Sequence, residues 1–301
     1  FIILFVLSKN NQSVTLDVGI YVAIVYTFFR LAPLFQNLYS NYATIKKYYV
    51  IYINLIKNLN LDDFKIIKSA PKEVNIEVIK KIELKNFSFS YDNKNNIFSN
   101  QNVTFEIGQS YFIEGLNGSG KTTLIDILML LLKIKKGNIL INDRELKVSE
   151  YLNFQSNFSY TPQKNHIFET TISRNISLET KESKINYEKI EGLIKFLEFE
   201  NIFSNLKGLN NYLASSGKNI SGGQAQRIGI LRSLYFDKKI LVFDEATNQI
   251  DSESEQIILN KILSISKNKI VIFVSHNKNL KKYFSNTLKI DNLGITVEKN
   301  G

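Results

Sequence analysis

Apolar and polar positions change rhythm twice along this chain. Residues 1–7 (FIILFVL) are apolar, and residues 8–13 (SKNNQS) are polar and turn-like. From Val18 to Phe29 no charge interrupts the apolar character, which resumes after Arg30 as LAPLF. Counted from Leu16 to Leu38, the stretch is long enough to cross a bilayer, with Arg30 facing a cavity or partner helix and Pro33 absorbed as a kink. A buried helix of a soluble domain is the other reading of the same stretch. Residues 39–59 keep a helix-compatible spacing with no glycine or proline, as a helix projecting out of a membrane would. The opening apolar run has no methionine and no basic lead, so it is not a signal peptide, and the expectation is the C-terminal part of a longer protein.

Pro71 and mixed charges mark a linker, and from Ile82 the rhythm shortens to strand-like runs: IELKNFSFSY, NVTFEI and SYFIEG. A helical run, KTTLIDILMLLL, follows from Lys121. The expected organisation is a helical membrane part over 1–60, a linker over 61–78 and an α/β domain over 79–301. Lys46, Lys47 and Lys57 follow the apolar segment while Lys9 lies on its other side, which places the C-terminal end in the cytoplasm.

Strand, glycine loop and helix in that order are the setting of a phosphate loop. Gly115-Leu-Asn-Gly-Ser-Gly120-Lys121-Thr122 fits G-x-x-x-x-G-K-[ST]. Its backbone N–H groups can turn around phosphates, Lys121 can neutralise them, and the Thr122 hydroxyl can reach Mg²⁺. Gly115, Asn117, Gly118, Ser119, Gly120, Lys121, Thr122 and Thr123 form the expected ATP-contacting set. Ile240-Leu-Val-Phe-Asp244-Glu245 is an apolar strand ending in two carboxylates. There Asp244 suits a Mg²⁺ partner and Glu245 a group that orients or deprotonates water. Ser221-Gly222-Gly223-Gln224 opens a segment with apolar positions at Ile228, Leu231, Leu234 and Tyr235. It reads equally as a helix cap and as an anion seat.

These motifs, in this order, resemble the nucleotide-binding domain of an ATP-binding cassette (ABC) transporter over residues 79–301. The resemblance implies a P-loop α/β core with an antiparallel β subdomain and a helical subdomain, preceded by a transmembrane helix. It implies two such domains acting head to tail, Ser221–Gln224 of one closing over ATP held by the other. It also implies Tyr91 as the aromatic that stacks on adenine, Gln163 as a residue sensing Mg²⁺, and His276 as a γ-phosphate contact. Catalysis then falls to Glu245, His276 and Lys121, and the metal to Thr122, Gln163 and Asp244. Against the family pattern, Ile220 stands for leucine, Ser215 for a glutamate, and Asn248 and Gln249 for small residues, while Asp251 is kept. Glu114, beside the phosphate loop, is expected to point away from it.

Composition narrows the remaining choices. With no cysteine and only two histidines, disulfides and Cys/His zinc sites are excluded, and His166 reads as a packing or surface residue. The net charge of +10 is spread over scattered lysines, which fits a solvated surface or an anionic lipid surface. The expected partners are a second copy of the chain, the lipid bilayer and a transported substrate, with no nucleic acid. Residues 28–49 resemble the last membrane helix of flippases for lipid-linked oligosaccharides. Arg30 could meet a pyrophosphate head group or pair with a carboxylate of another helix. Export of peptides or other lipids stays open, as does a soluble ABC ATPase outside transport.

Overall fold

The computed structural model describes residues 18–58, 78–92, 96–205, 208–214, 217–291 and 294–300. The opening apolar run, Ser215 and nearly all of the expected linker lie outside these residues. The chain divides into two compact units, residues 1–70 and 71–301.

In the first unit, α1 (Val18–Asn58) is a single 41-residue helix that contains Pro33. Its large apolar side chains, among them Phe28, Phe29, Phe35, Leu38 and Tyr39, are exposed. Among the described residues no helix is long and apolar enough to cross a membrane, and the stretch expected to cross, 16–38, begins outside them. Arg30, Gln36, Asn37 and the tyrosines Tyr21 and Tyr26 dilute the apolar character of the stretch.

The second unit is built on two sheets. One is antiparallel, in the order β2-β1-β4-β5, from β1 (Lys81–Phe89), β2 (Phe98–Glu106), β4 (Lys136–Ile141) and β5 (Arg144–Glu145). The other runs β10-β9-β3-β8-β7-β6. Its strands are β3 (Ser110–Gly115), β6 (Phe158–Thr161), β7 (Ile240–Asp244), β8 (Ile270–Val274), β9 (Asn286–Asp291) and β10 (Gly294–Lys299). All its pairings are parallel except β9 with β10. This is the P-loop α/β architecture expected, with its antiparallel companion sheet.

β7 and β8 are buried at every position, which explains why they read as unbroken apolar runs rather than alternating ones. Successive side chains of a strand point to opposite faces, so each strand serves two cores. Ile240, Val242, Ile270, Ile272 and Val274 pack on one face with Tyr111, Ile113 and with Leu124, Ile125, Ile127 and Leu128 of or beside α2 (Lys121–Leu128). Leu241, Phe243, Val271 and Phe273 pack on the other with Phe112 and a helical layer. That layer includes α3 (Ile172–Ser177), α4 (Tyr187–Phe196), α5 (Gly222–Tyr235) and α6 (Ser252–Ser264). Because β3, β7 and β8 are parallel neighbours, their carboxyl ends lie together, at the edge where open α/β sheets bind ligands. Gly115, Asp244 and the Ser275-His276 pair stand at or just past those ends.

Candidate nucleotide site at the strand ends

The phosphate loop turns between β3 and α2. Gly118 and Gly120 both have positive φ, 78° and 103°. Gly120 is also confined, since a Cβ there would lie 2.8 Å from Ile97 and 2.9 Å from the Phe98 ring. Only glycine meets both demands, the left-handed backbone and the close approach of the antiparallel sheet. Lys121 is buried, and its ammonium donates to the carbonyls of Gly115 and Leu116, both at 3.0 Å. The ammonium is thereby folded back over the loop. The buried Ser119 hydroxyl has no hydrogen-bond partner among the described residues, as a group aimed at a ligand inside the loop would.

The first turn of α2 links this loop to two distant residues. The Thr122 hydroxyl donates to Asp244 Oδ2 at the long distance of 3.4 Å, and the Tyr160 hydroxyl donates to the same oxygen at 3.2 Å. Burial pushes the Asp244 carboxyl above its usual range, with the neighbouring charge of Glu245 adding to the rise, while these two hydroxyls pull it back. Burial likewise raises Tyr160, and the Asp244 charge raises it further. Tyr91, mostly exposed, sits edge-on to Phe89 with ring centroids 5.0 Å apart, and its hydroxyl lies 3.2 Å from Thr123 Oγ1.

Glu245 is the hub of a second group. It holds a left-handed φ of 52°, unusual for a residue with a side chain, and its N–H bonds to the Val274 carbonyl at 2.9 Å. The backbone is fastened across to β8 in that conformation. One carboxylate oxygen, Oε1, lies 2.8 Å from His276 Nε2. The other, Oε2, accepts from Gln163 Nε2 at 2.5 Å and from Asn248 Nδ2 at 2.7 Å. Strands β6, β7 and β8 thus deliver Gln163, Glu245 and His276 to one point.

Ser221 and Gln224 occupy the start of α5, where they cap each other. The Ser221 hydroxyl accepts from the Gln224 N–H at 3.2 Å, and the Gln224 side chain accepts from the Ser221 N–H at 2.8 Å. Among the described residues, the atoms nearest a Cβ built at Gly222 or Gly223 belong to Gln249 and Arg227. Gln226 of the same helix accepts from the Gln249 N–H at 2.8 Å. The Ser-Gly-Gly-Gln turn therefore packs on the loop that follows Glu245.

Four participants had no role assigned from the sequence. Tyr160 hydrogen-bonds Asp244 from β6, and Gln226 holds Gln249. Asn248 stood out only as a departure from a family pattern. Buried Glu255 accepts from Thr247 at 2.6 Å and from Asn277 at 3.0 Å, tying the loop after Glu245 to the loop after His276. Glu114 faces Lys289 across the β3–β9 ladder, with ammonium groups of Lys289 and Lys281 at 3.9 and 4.0 Å. His166 packs edge-on to Phe168 at 4.7 Å, and its carbonyl accepts from Arg232 at 3.0 Å.

Mg²⁺ can be tested against these donors. Thr122 and Asp244 offer hard oxygen atoms facing each other, and burial of Asp244 leaves a carboxylate that a cation would stabilise. Among the described residues no cluster of three or more His, Asp or Glu side chains forms a closed metal cage.

A phosphate loop between strand and helix, at the carboxyl ends of a parallel sheet and beside a buried strand-end aspartate, defines a phosphate-loop nucleotide-binding domain. The family model for ABC transporters matches residues 98–248, half of the chain, and the chain belongs to that family. A protein of Rickettsia prowazekii named as an export ATP-binding/permease protein is 34% identical over 220 residues, 72% of this chain and 38% of the relative. A protein of Francisella tularensis subsp. holarctica named ATP-dependent lipid A-core flippase is 30% identical over 211 residues, 69% of this chain and 34% of its own. The chain thus spans little more than a third of the length of either relative. The solved structure of a bacterial Atm1-family ABC exporter with ATP bound shares the fold, with a TM-score of 0.65 at 24% identity over 71% of this chain and 37% of that one.

Proposed function

We propose that this chain is the ATP-binding and ATP-hydrolysing part of an ABC exporter or flippase, in which nucleotide-driven closure of two copies moves a substrate across a membrane. The observation that carries the reading is the Glu245 carboxylate, fixed beside Asp244 at the end of β7 and contacted by both Gln163 and His276. Phosphoryl transfer to water asks a protein mainly for positioning and charge compensation. Lys121 and the loop N–H groups hold the phosphates, and Tyr91 offers an exposed ring to adenine. Glu245 accepts a proton from the water whose oxygen attacks the γ-phosphorus, the bond from that phosphorus to the β–γ bridging oxygen breaks and ADP leaves, and His276 turns to the γ-phosphate. Bound Mg²⁺, held by Thr122, Asp244 and Gln163 together with the phosphates, supplies neutralisation of developing charge. The Ser221–Gln224 turn serves the ATP of a second copy, a reading supported by its packing beside Gln249, in the loop that follows Glu245. The membrane setting, with the ATP-binding domain on the cytoplasmic side, is supported by the relatives' names and by the exposed apolar side chains of α1. A lipid substrate, lipid-linked oligosaccharide among the candidates, is supported by the flippase among those relatives.

The test is ATP hydrolysis by the parent protein in liposomes, with and without lipid-linked oligosaccharide. Glu245→Gln serves as the hydrolysis blank and Lys121→Ala as the binding-deficient control. The expected result is turnover lost in Glu245→Gln with nucleotide binding kept, and stimulation by the glycolipid. Full turnover in Glu245→Gln would overturn the assignment of the base. Turnover indifferent to the glycolipid would leave peptides and other lipids as the substrate, and dependence on nucleic acid would move the protein outside transport.

A further inference from the structure

We propose that Asn248 is a positioning residue for ATP hydrolysis, fixing the Glu245 carboxylate through one oxygen so that the other is free to meet water. The inference rests on Glu245 as proton acceptor and deepens that reading. Among the described residues, three side chains bond this carboxylate: His276 on Oε1, and Gln163 and Asn248 on Oε2. Two of the three have duties elsewhere once nucleotide is bound, His276 at the γ-phosphate and Gln163 at the metal. Asn248 is assigned neither to the phosphates nor to the metal. It is exposed, lies three residues after Glu245 in the same loop, and its backbone N–H reaches back to the Glu245 carbonyl at 3.4 Å.

Departure of His276 frees Oε1, and departure of Gln163 leaves Asn248 as the remaining donor on Oε2. A carboxylate held by one oxygen keeps its plane and its free lone pair aimed, which is the form a general base needs. Without that donor, Glu245 would rotate about its terminal torsion, which is broad and weakly restricted.

The loop that carries Asn248 is itself fastened. The Gln249 N–H donates to Gln226 at 2.8 Å, and the Gln249 carbonyl would lie 2.8 Å from a Cβ at Gly223. Thr247 is anchored on buried Glu255 at 2.6 Å. Asn248 therefore stands between two fixed neighbours while its own side chain is exposed. It can be replaced without opening a core.

The experiment compares Asn248→Ala, Asn248→Asp and Asn248→Ser with the parent protein, with Glu245→Gln measured alongside. Steady-state ATP hydrolysis gives kcat and KM, and displacement of a fluorescent ATP analogue gives nucleotide affinity. Alanine, which lacks the donor, and aspartate, which keeps the shape but offers a second carboxylate, are expected to lower kcat about tenfold, as loss of one hydrogen bond to a charged group does. KM and nucleotide affinity should change less than about twofold, since the bond acts on the reacting step and not on binding. Serine, a shorter donor on the same backbone, should recover part of the loss over alanine. The proposal is overturned if alanine and aspartate keep kcat within about twofold of the parent while Glu245→Gln is inactive. It is overturned as well if kcat falls only in step with nucleotide affinity. A fully active Glu245→Gln would instead remove the underlying assignment of the base, so the two failures are distinct.

Discussion

Replacing Glu255 with alanine cuts two hydrogen bonds at once, and both lead to loops that carry the site. Glu255 lies in the first turn of α6 and is only 6% exposed. Its Oε1 accepts from the Thr247 hydroxyl at 2.6 Å and its Oε2 from the Asn277 amide at 3.0 Å. Thr247 is two residues past Glu245, and Asn277 is one past His276. Each bond to a charged acceptor is worth roughly 1.5–3 kcal/mol net, and the buried Thr247 hydroxyl left without a partner adds roughly 1–3 kcal/mol. Relief from burying a carboxylate offsets part of this, so the expected loss for Glu255→Ala is on the order of 3 kcal/mol. For a domain of this size that lowers Tm by roughly 6–12 °C. Glu255→Gln keeps the shape and one acceptor. Its amide can donate to Thr247, whose hydroxyl turns to accept, while its oxygen still accepts from Asn277. The expected cost is about 1 kcal/mol. Thermal unfolding followed by circular dichroism separates the two variants, and ATP hydrolysis should fall in alanine more than in glutamine. An alanine variant within about 1 kcal/mol of the parent would refute the claim that this carboxylate holds the two loops. A glutamine variant as damaged as alanine would show that charge, not bonding pattern, matters.

Two further outcomes follow from single side chains. Burial pushes the Tyr111 hydroxyl from 10.0 up to about 12, although it accepts the Glu106 N–H at 2.7 Å. Because the folded value lies above the unfolded one, this contribution to stability is whole below pH 10 and is lost as pH rises through about 12. The loss amounts to roughly 2–3 kcal/mol, and Tyr111→Phe should flatten urea-unfolding stability over that window. An unchanged alkaline slope in the variant would exclude Tyr111 as its source. Gly120→Ala combines a left-handed φ with close approach to Ile97 and Phe98. It should cost at least about 1 kcal/mol and abolish binding of a fluorescent ATP analogue, and retained affinity would show that the loop can relax around a side chain.

How much of this was readable beforehand depended on distance along the chain. The phosphate loop is eight consecutive residues set between a strand and a helix, so its setting was visible from the apolar rhythm alone, and the structure has that setting. Asp244 and Glu245 were visible as a polar end on an apolar strand, and β7 is indeed buried at every position. Gln163 and His276 could be singled out only by resemblance, because nothing local distinguishes a glutamine after Pro162 or a histidine after a buried strand. Sheet order was not legible at all. The placement of β3 between β8 and β9 is set by crossovers of more than 150 residues, and that placement is what brings Gly115, Asp244 and His276 to one edge.

The residues that went unread share one property: their contacts join loops that meet only in the folded sheet. Tyr160 reaches Asp244 across 84 positions, and Glu255 reaches Asn277 across 22. In the sequence Glu255 is one of two acids in an ordinary helix start, where an acidic residue is already favoured by the helix dipole. Such a position carries a sufficient local explanation, so the pattern gives no reason to look for another. Asn248 is the opposite case. It had no local explanation, broke an expected pattern of small residues, and proves to touch the carboxylate on which the proposed chemistry turns. In this fold a mismatch with the surrounding motif pointed to the site more sharply than a residue that suited its helix.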